Sequence, residues 1–231
     1  MTAGIQARVE NVRERIRGAT EASGRRASAI RLIAASKTFP AQAIVAAAAA
    51  GVMDIGENYI QEAREKHELL KQLPVRWHFI GHLQTNKVRY AVRIFDLIHT
   101  VDSYRLAAEI DRCARLIDRV QPVLVQVNIA GEETKSGVAP ETALALVQEI
   151  ATLEHVRVKG LMTMPPYFND PERVRPYFAE LRRLGDRIRE SGVPNVHMDE
   201  LSMGMTGDFE AAIAEGATLL RIGTAIFGER R

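Results

Sequence analysis

A lysine stands where a short apolar run of the sequence stops. The run begins at Arg31, has the length of a buried strand, and ends at Ser36 and Lys37, three residues before Pro40. Proline suits the first turn of the alanine-rich helix that follows. Since α/β proteins collect their chemistry at the carboxyl ends of strands, Lys37 is a candidate nucleophilic amine. A surface lysine reaching water is the alternative interpretation.

Two glycine-containing turns near the end of the chain have the composition of an anion site. Residues 202–208 combine hydroxyls, two glycines and a helix start after one predicted strand, and Gly223 and Thr224 follow the next strand. Backbone N–H groups in such turns bind phosphate without a metal, and barrel enzymes often place phosphate after strands seven and eight. An amine and a phosphate site together suggest a ligand with a carbonyl and a phosphate, a shape that pyridoxal 5'-phosphate (PLP) has.

Arg221 lies two residues before Gly223 and is a candidate partner for the pyridine nitrogen of such a ligand. Arginine stays protonated, so it would leave that nitrogen unprotonated and weaken the ring as an electron sink. The Lys37 amine must be neutral to attack an aldehyde, and desolvation or nearby positive charge favours this. The combination argues against demanding carbanion chemistry.

Other residues offer competing sites. Lys159 lies within the predicted sixth strand, a position that a lysine of a Schiff-base aldolase would occupy. His78 and His82 are four residues apart, but no cysteine or carboxylate pair completes a metal set, so no metal is predicted. Residues 131–137 resemble a phosphate loop only loosely, and we interpret them as a rim loop in which Lys135 could attract a phosphate.

Short apolar segments alternate with helical patterns along the whole chain. This spacing predicts parallel strands joined by right-handed crossovers, and eight of them can close a barrel. We therefore predict an α/β fold, a single (β/α)8 TIM barrel over residues 1–231, with a doubly wound open sheet as the alternative. The predicted strands cover residues 31–36, 52–55, 76–80, 97–101, 122–129, 156–162, 197–201 and 219–222.

An extra N-terminal helix precedes the first predicted strand and ends near Gly24. Because no full helix follows the eighth strand, we expect this helix to cover that face. We also expect Asn58 to cap the helix after the second strand. If the barrel closes, the groups that end its strands meet at one rim: Lys37, Asn58, His82, Met162, Ser202 and Arg221.

The composition limits the class of protein. The chain has 231 residues and a net charge of +2, with charges that alternate along helices, so nucleic acid is not predicted as a partner. The single cysteine, Cys113, suits a reducing compartment. The start of the chain lacks a signal pattern, and no stretch approaches the ~18 apolar residues of a membrane span. We expect a cytoplasmic protein that does not bind membranes.

The sequence resembles the pyridoxal phosphate homeostasis proteins, also described as proline synthetase co-transcribed homologues. The resemblance covers nearly the whole chain, and residues 78–87 and 202–205 are the most specific together. Many relatives have valine where Ala35 stands and serine where Thr206 stands. The matching motifs are Ser36-Lys37-Thr38, Gly56-Glu57-Asn58, residues 78–87, Lys135-Ser136-Gly137, Gly160-Leu161-Met162, Ser202-Met203-Gly204-Met205 and Arg221-Ile222-Gly223.

The resemblance implies a barrel like the N-terminal domain of alanine racemase, with PLP bound covalently to Lys37. It further implies a ring-nitrogen contact at Arg221 and ring contacts near Asn58. The implied phosphate contacts are Ser202, Gly223 and Thr224. The full predicted cofactor-binding set is Lys37, Asn58, His82, Met162, Ser202, Met203, Arg221, Gly223 and Thr224.

The leading hypothesis is a non-catalytic carrier that holds PLP as a lysine Schiff base. It would limit the free reactive aldehyde and pass it to recipient apo-enzymes in vitamin B6 homeostasis. The alternatives are an amino-acid racemase that uses Lys37 and a Schiff-base aldolase that uses Lys159. A racemase of the related fold needs a tyrosine from an additional β-domain and a partner subunit, whereas this chain ends just after Gly228. We expect a monomer.

Overall fold

The computed structural model describes residues 2–132 and 134–229, and the other positions of the expected domain lie outside the described residues. Within this part of the chain, eight parallel strands pair in chain order and the last pairs with the first. The predicted barrel is therefore confirmed, and the open sheet is excluded. The strands are β1 (Arg31–Ala35), β2 (Asp54–Glu57), β3 (Arg76–Phe79), β4 (Leu97–Val101), β5 (Gln121–Gln126), β6 (Val156–Met162), β7 (Glu200–Ser202) and β8 (Leu219–Ile222).

Helices surround the barrel and connect consecutive strands, as parallel pairing requires. Short 3₁₀ turns cover Ala27–Ala29, Thr85–Lys87, Pro140–Thr142 and Pro171–Arg173. The α-helices are α1 (Thr2–Ala22), α2 (Ala41–Ala49), α3 (Ile60–Leu69), α4 (Val88–Ile94), α5 (Tyr104–Arg115), α6 (Ala143–Ile150), α7 (Arg175–Glu190), α8 (Phe209–Ala214) and α9 (Thr224–Phe227).

Helix α1 covers the face that the short α9 leaves open. It packs against α2, α8 and α9, and Arg8 Nε donates a hydrogen bond of 2.7 Å to the Ile226 carbonyl. This arrangement agrees with the role that the sequence predicted for the opening helix. Its apolar stripe is buried, and that stripe consists of Ile5, Val9, Val12 and Ile16.

The inside of the barrel contains both apolar and polar side chains. The apolar ones form a small buried cluster separate from the main core between strands and helices; its members are Ile33, Leu97, Leu124, Met162 and Leu219. Barrel interiors are usually filled by branched apolar residues, and a buried polar group needs a partner. Five buried polar residues nevertheless lie on strands of this barrel and are joined by hydrogen bonds: Asp54, His78, His99, Ser202 and Arg221.

Two strands lie later in the chain than their apolar patterns predicted. Strand β2 was expected over residues 52–55 but spans Asp54–Glu57, and β7 was expected over residues 197–201 but spans Glu200–Ser202. In β2 the polar residues are buried because Asp54 binds Arg76 and Glu57 binds Lys66. These partners lie outside the strand, 22 and 9 residues further along the chain, so local strand propensity does not reveal them.

The described helices do not form a membrane span. No helix in residues 2–132 and 134–229 has both the length and the apolar character to cross a membrane. The longest of them, α1, has 21 residues. Its apolar stripe lies on one side, and arginine and glutamate residues occupy the exposed side. Its apolar face is already covered by the barrel.

Gly160 in β6 provides a test of the observed strand packing. Its φ is +154°, and a Cβ atom added there would lie 1.8 Å from the Glu200 carbonyl oxygen of β7. Gly160→Ala is therefore expected to lower the free energy of unfolding by about 3 kcal/mol or more, measured by urea denaturation. The control is Gly18→Ala in α1, where nothing lies within 4 Å. It should stabilise the protein by about 0.5–1 kcal/mol, and equal effects would contradict the observed packing.

Candidate functional site

A cleft of about 310 Å³ opens where the strands of the barrel end. Residues from the turns after β1, β2, β7 and β8 form much of its wall. Five of the nine predicted site residues line it, so the structure brings these together: Lys37, Asn58, Arg221, Gly223 and Thr224. Their contact with a ligand stays a prediction.

The turn that carries Lys37 is anchored on both sides of the lysine. Lys66 Nζ of α3 donates a hydrogen bond of 2.8 Å to the Ser36 carbonyl, and the Thr38 amide donates one of 2.6 Å to Glu62 Oε1. Thr38 has a φ of +68°, which is uncommon for a residue with a branched Cβ and indicates a tightly constrained turn. Lys37 is half-buried within this turn.

A buried ion pair lies behind that turn. Lys66 Nζ is 2.6 Å from Glu57 Oε1, and both residues are buried. Ser36 Oγ donates a further hydrogen bond of 2.5 Å to the same carboxylate oxygen. Burial raises the pKa of Glu57, and the hydrogen bonds from Lys66 and Ser36 oppose that shift. The pair therefore ties β2 and α3 to the residue next to Lys37.

Removal of one member of this pair should be costly. Lys66→Met leaves the buried Glu57 carboxylate without its cation, so we expect a loss of about 3 to 5 kcal/mol in the free energy of unfolding. The double variant Glu57→Gln/Lys66→Met should recover part of that loss in urea denaturation. Lys71→Met breaks the exposed Lys71–Glu68 pair and is the control, with an expected effect below about 1 kcal/mol. A double variant no more stable than Lys66→Met would contradict the charge argument.

Asn58 does not cap the following helix. Tyr59 occupies the N-cap position of α3, and no side chain makes a capping hydrogen bond there. The predicted cap is therefore wrong, because β2 runs two residues further than its apolar pattern indicated and Asn58 directly follows the strand. As a result, Asn58 contributes to the lining of the cleft.

The turns after β7 and β8 form one continuous wall of the cleft. The Ala225 amide donates a hydrogen bond of 3.3 Å to Thr206 Oγ1, which joins the two turns. Gly204 has a φ of +93°, and a Cβ atom there would lie 2.7 Å from the Ala212 Cβ atom, so this turn requires glycine. Thr206, Gly207, Gly223 and Thr224 line the cleft at this wall. This is the position at which TIM barrels commonly bind phosphate.

Arg221 supplies a buried positive charge at the floor of the cleft. It is 4% exposed, and it donates hydrogen bonds to Ser202 Oγ (2.5 Å) and to the Thr163 carbonyl (2.8 Å). Burial lowers its pKa to about 10, and the carboxylate of Asp208 opposes that shift. The guanidinium is therefore protonated at neutral pH and is held by neutral oxygen atoms.

The remaining four predicted site residues do not line the cleft. Ser202 and Met162 are fully buried inside the barrel, and Met203 is fully buried in the outer core. His82 is exposed and lies 3.4 Å from Ser136 Oγ through its Nδ1 atom. Ser202 and Met203 are successive residues and point to opposite faces of the sheet, one into the barrel and one into the outer core. Contact of these four residues with a ligand stays a prediction.

The two competing sites are not assembled in the structure. Lys159 is half-buried on β6 and is not among the residues that line the cleft. His78 is buried inside the barrel, whereas His82 is exposed, so the two histidines do not form a pair. Among the described residues, no three histidine, cysteine, aspartate or glutamate side chains are grouped so as to hold a metal ion.

Sequence reasoning missed a line of polar side chains inside the barrel. Asp54 Oδ1 is 2.8 Å from His78 Nε2, His78 Nδ1 is 3.0 Å from His99 Nε2, and His99 Nδ1 is 2.8 Å from Ser202 Oγ. Ser202 in turn accepts the hydrogen bond from Arg221. The sequence contained one indication of this line, namely the polar residues within strands that are otherwise apolar.

Asp54 anchors the far end of this line. Burial alone would raise its pKa, but hydrogen bonds from His78 and Arg76 outweigh burial and lower the pKa from 3.8 to about 2. Arg76 binds it through two nitrogens, at 2.8 and 2.6 Å. Asp54 is therefore ionised throughout the neutral range.

The lowered pKa of Asp54 makes stability depend on pH. Because the folded pKa lies below the unfolded one, the stabilisation is complete above about pH 4 and is lost as the pH falls through about 2. The stability difference between wild type and Asp54→Asn should therefore shrink by about 1 kcal/mol from pH 6 to pH 3 in urea denaturation. Asp199→Asn controls for the loss of one exposed carboxylate. A difference that does not change with pH would contradict the assigned role of Asp54.

Comparison with known proteins defines the class first. A family model described as alanine racemase, N-terminal domain, matches residues 8–231, and the closed barrel with its lysine after β1 agrees with that class. The pyridoxal phosphate homeostasis protein of Aquifex aeolicus is 49% identical over 224 residues, which cover 97% of each chain. The chain belongs to the family of pyridoxal phosphate homeostasis proteins, as its motifs predicted.

Solved structures show the same relationship. PipY of Synechococcus elongatus, in a structure with PLP bound, aligns with a TM-score of 0.85 and 36% identity and covers 97% of this chain and 100% of its own. An alanine racemase of Clostridium difficile aligns with a TM-score of 0.76 and 15% identity, covering 99% of this chain and 57% of its own. At that identity the racemase supports the fold and nothing further.

Proposed function

We propose that the chain binds PLP in the cleft as a Schiff base on Lys37 and takes part in vitamin B6 homeostasis as a non-catalytic carrier. The observation that carries the proposal is a single cleft that combines a lysine, a buried arginine and glycine-lined turns after β7 and β8. The names of the relatives and the PipY structure with PLP bound support it.

The cleft residues fit each part of this cofactor. Lys37 would hold the aldehyde carbon, and Arg221 would face the ring nitrogen. The turns that contain Gly223 and Thr224 would hold the phosphate, because backbone N–H groups in such turns bind dianions. When bound, the cofactor supplies an aldehyde that condenses reversibly with an amine. Asn58 would contact the ring at the opposite wall.

The other residues around the cleft support a carrier over a racemase. A racemase needs a second positioned acid or base, since proton transfer requires fixed geometry. Tyr167 lines the cleft but is 85% exposed, so packing does not hold its hydroxyl in one place. The protonated Arg221 would also weaken the ring as an electron sink. An aldolase at Lys159 has less support, because Lys159 does not line the cleft.

The cellular context of the carrier extends the same proposal. We infer that it works in the cytoplasm as a monomer and passes PLP to apo-enzymes that need it. The single cysteine, Cys113, suits a reducing compartment, and burial raises the pKa of its thiol, which makes it unreactive. Analytical ultracentrifugation of the loaded protein tests the oligomeric state.

Cofactor trapping provides the decisive test of the proposal. Purified protein incubated with PLP should retain a visible absorbance band, and borohydride reduction followed by peptide mapping should place the label on Lys37. Lys37→Ala should lose both the band and the label, whereas the control Lys159→Ala should keep both. A label at Lys159, or no retained cofactor, would defeat the proposal. Turnover of an amino acid by wild type, but not by Lys37→Ala, would favour the racemase.

A further inference from the structure

An unbroken line of hydrogen bonds crosses the interior of the barrel from β2 to β8. It runs from Asp54 through His78, His99 and Ser202 to Arg221, with successive distances of 2.8, 3.0, 2.8 and 2.5 Å. No member is more than 4% exposed. Each member lies on a different strand, so the line is a product of barrel closure.

The donor chemistry of Arg221 determines the direction of this line. Arginine can only donate, so Ser202 Oγ accepts from Arg221 and donates its own O–H to His99 Nδ1. His99 must then carry its proton on Nε2 and donate it to His78 Nδ1. His78 in turn donates from Nε2 to the Asp54 carboxylate. Every hydrogen bond therefore points from the arginine towards the carboxylate, and both imidazoles are neutral Nε2–H tautomers.

The opposite direction leaves a buried proton unpaired. If His78 were charged, it would donate to His99, and His99 would donate to Ser202. The Ser202 hydroxyl proton would then need another acceptor, but within the described part of the chain Ser202 Oγ bonds only to His99 and Arg221. Burial, the largest cause, holds the pKa of His99 well below its ordinary value, which agrees with a neutral ring.

We propose that His99 is a positioning residue for Arg221. The ordered line from Asp54 keeps the Ser202 hydroxyl turned towards His99, so that its oxygen lone pair is presented to the guanidinium. With the Thr163 carbonyl as the second acceptor, this fixes two different nitrogens of Arg221 at the floor of the cleft. The inference rests on the proposed function, since a fixed guanidinium determines the position of its charge relative to the ring of PLP.

The charged groups around the line are Arg76 beside Asp54, Arg31 near His99, and Asp208 near Arg221.

Nitrogen NMR of the protein without cofactor tests the direction of the line. With ¹⁵N-labelled histidine, both His78 and His99 should show a protonated Nε2 and an unprotonated Nδ1. The His99 signals should not titrate between about pH 5.5 and about pH 8.5, the range in which solvated histidines change charge. Assignment comes from His78→Gln and His99→Gln spectra. Protonation of His99 at Nδ1, or titration of its ring in this range, would overturn the proposal whether or not the protein binds PLP.

A matched pair of variants tests the effect on the cleft. His99→Leu keeps a similar volume but removes both hydrogen bonds, so PLP should bind about ten-fold more weakly or worse, and the visible band should shift. His99→Gln can accept from Ser202 and donate to His78, so it should restore affinity and band position towards wild type. A purely structural role for His99 would lower stability in both variants without moving the band.

The result that overturns the positioning role is a folded His99→Leu protein with the affinity and absorbance of wild type. If His99→Leu does not fold, a comparison of Ser202→Ala with Ser202→Thr provides the same test, because only threonine keeps the hydroxyl that bonds to Arg221. A shifted band in Ser202→Ala, restored in Ser202→Thr, supports the role, and an unshifted band overturns it. Wild-type protein that retains no PLP would instead defeat the proposed function, while the tautomer measurement would still decide the direction of the line.

Discussion

Burial of the Arg221 guanidinium is the constraint on which the organisation of the site depends. A charge placed inside a barrel loses its hydration and needs hydrogen-bond acceptors in return. Arg221 finds two neutral ones, Ser202 Oγ and the Thr163 carbonyl, and the carboxylate of Asp208 offsets part of the cost. Ser202 can serve as an acceptor because its hydroxyl donates a hydrogen bond to His99, so polar residues extend well into a region that barrels usually fill with apolar side chains.

A second buried charge, that of Lys66, has a similar positioning role on the outer side of the strands. Lys66 pairs with Glu57 and also holds the Ser36 carbonyl, so the ion pair positions the turn that carries Lys37. The Arg221 guanidinium is thus placed inside the barrel and the Lys66–Glu57 pair outside it, and the cleft lies above both. The shared barrel with an alanine racemase at 15% identity shows that this scaffold tolerates very different sequences. Function therefore depends on these side chains and not on the fold alone.

Much of the fold and part of the site follow from one-dimensional patterns. The alternation of apolar runs and amphipathic helices predicted eight parallel strands, and a closed barrel brings the carboxyl ends of its strands to one mouth whatever the details of packing. For that reason, Lys37, Gly223 and Thr224 could be assigned to a common site from their positions after strands alone. Arg221, near the end of β8, was also predicted to lie at this site.

By itself, the sequence determined the fold class, the order of the strands and the turn residues that meet at the mouth, because these depend on hydrophobic periodicity and on where each run stops. Only the tertiary structure decided which way the strand residues face and what they bind. Ser202 and Met162 point into the barrel, β2 extends to a buried Glu57, and Asp54 connects through two histidines to Ser202. These outcomes depend on strand register and on partners distant along the chain, and a local pattern contains neither.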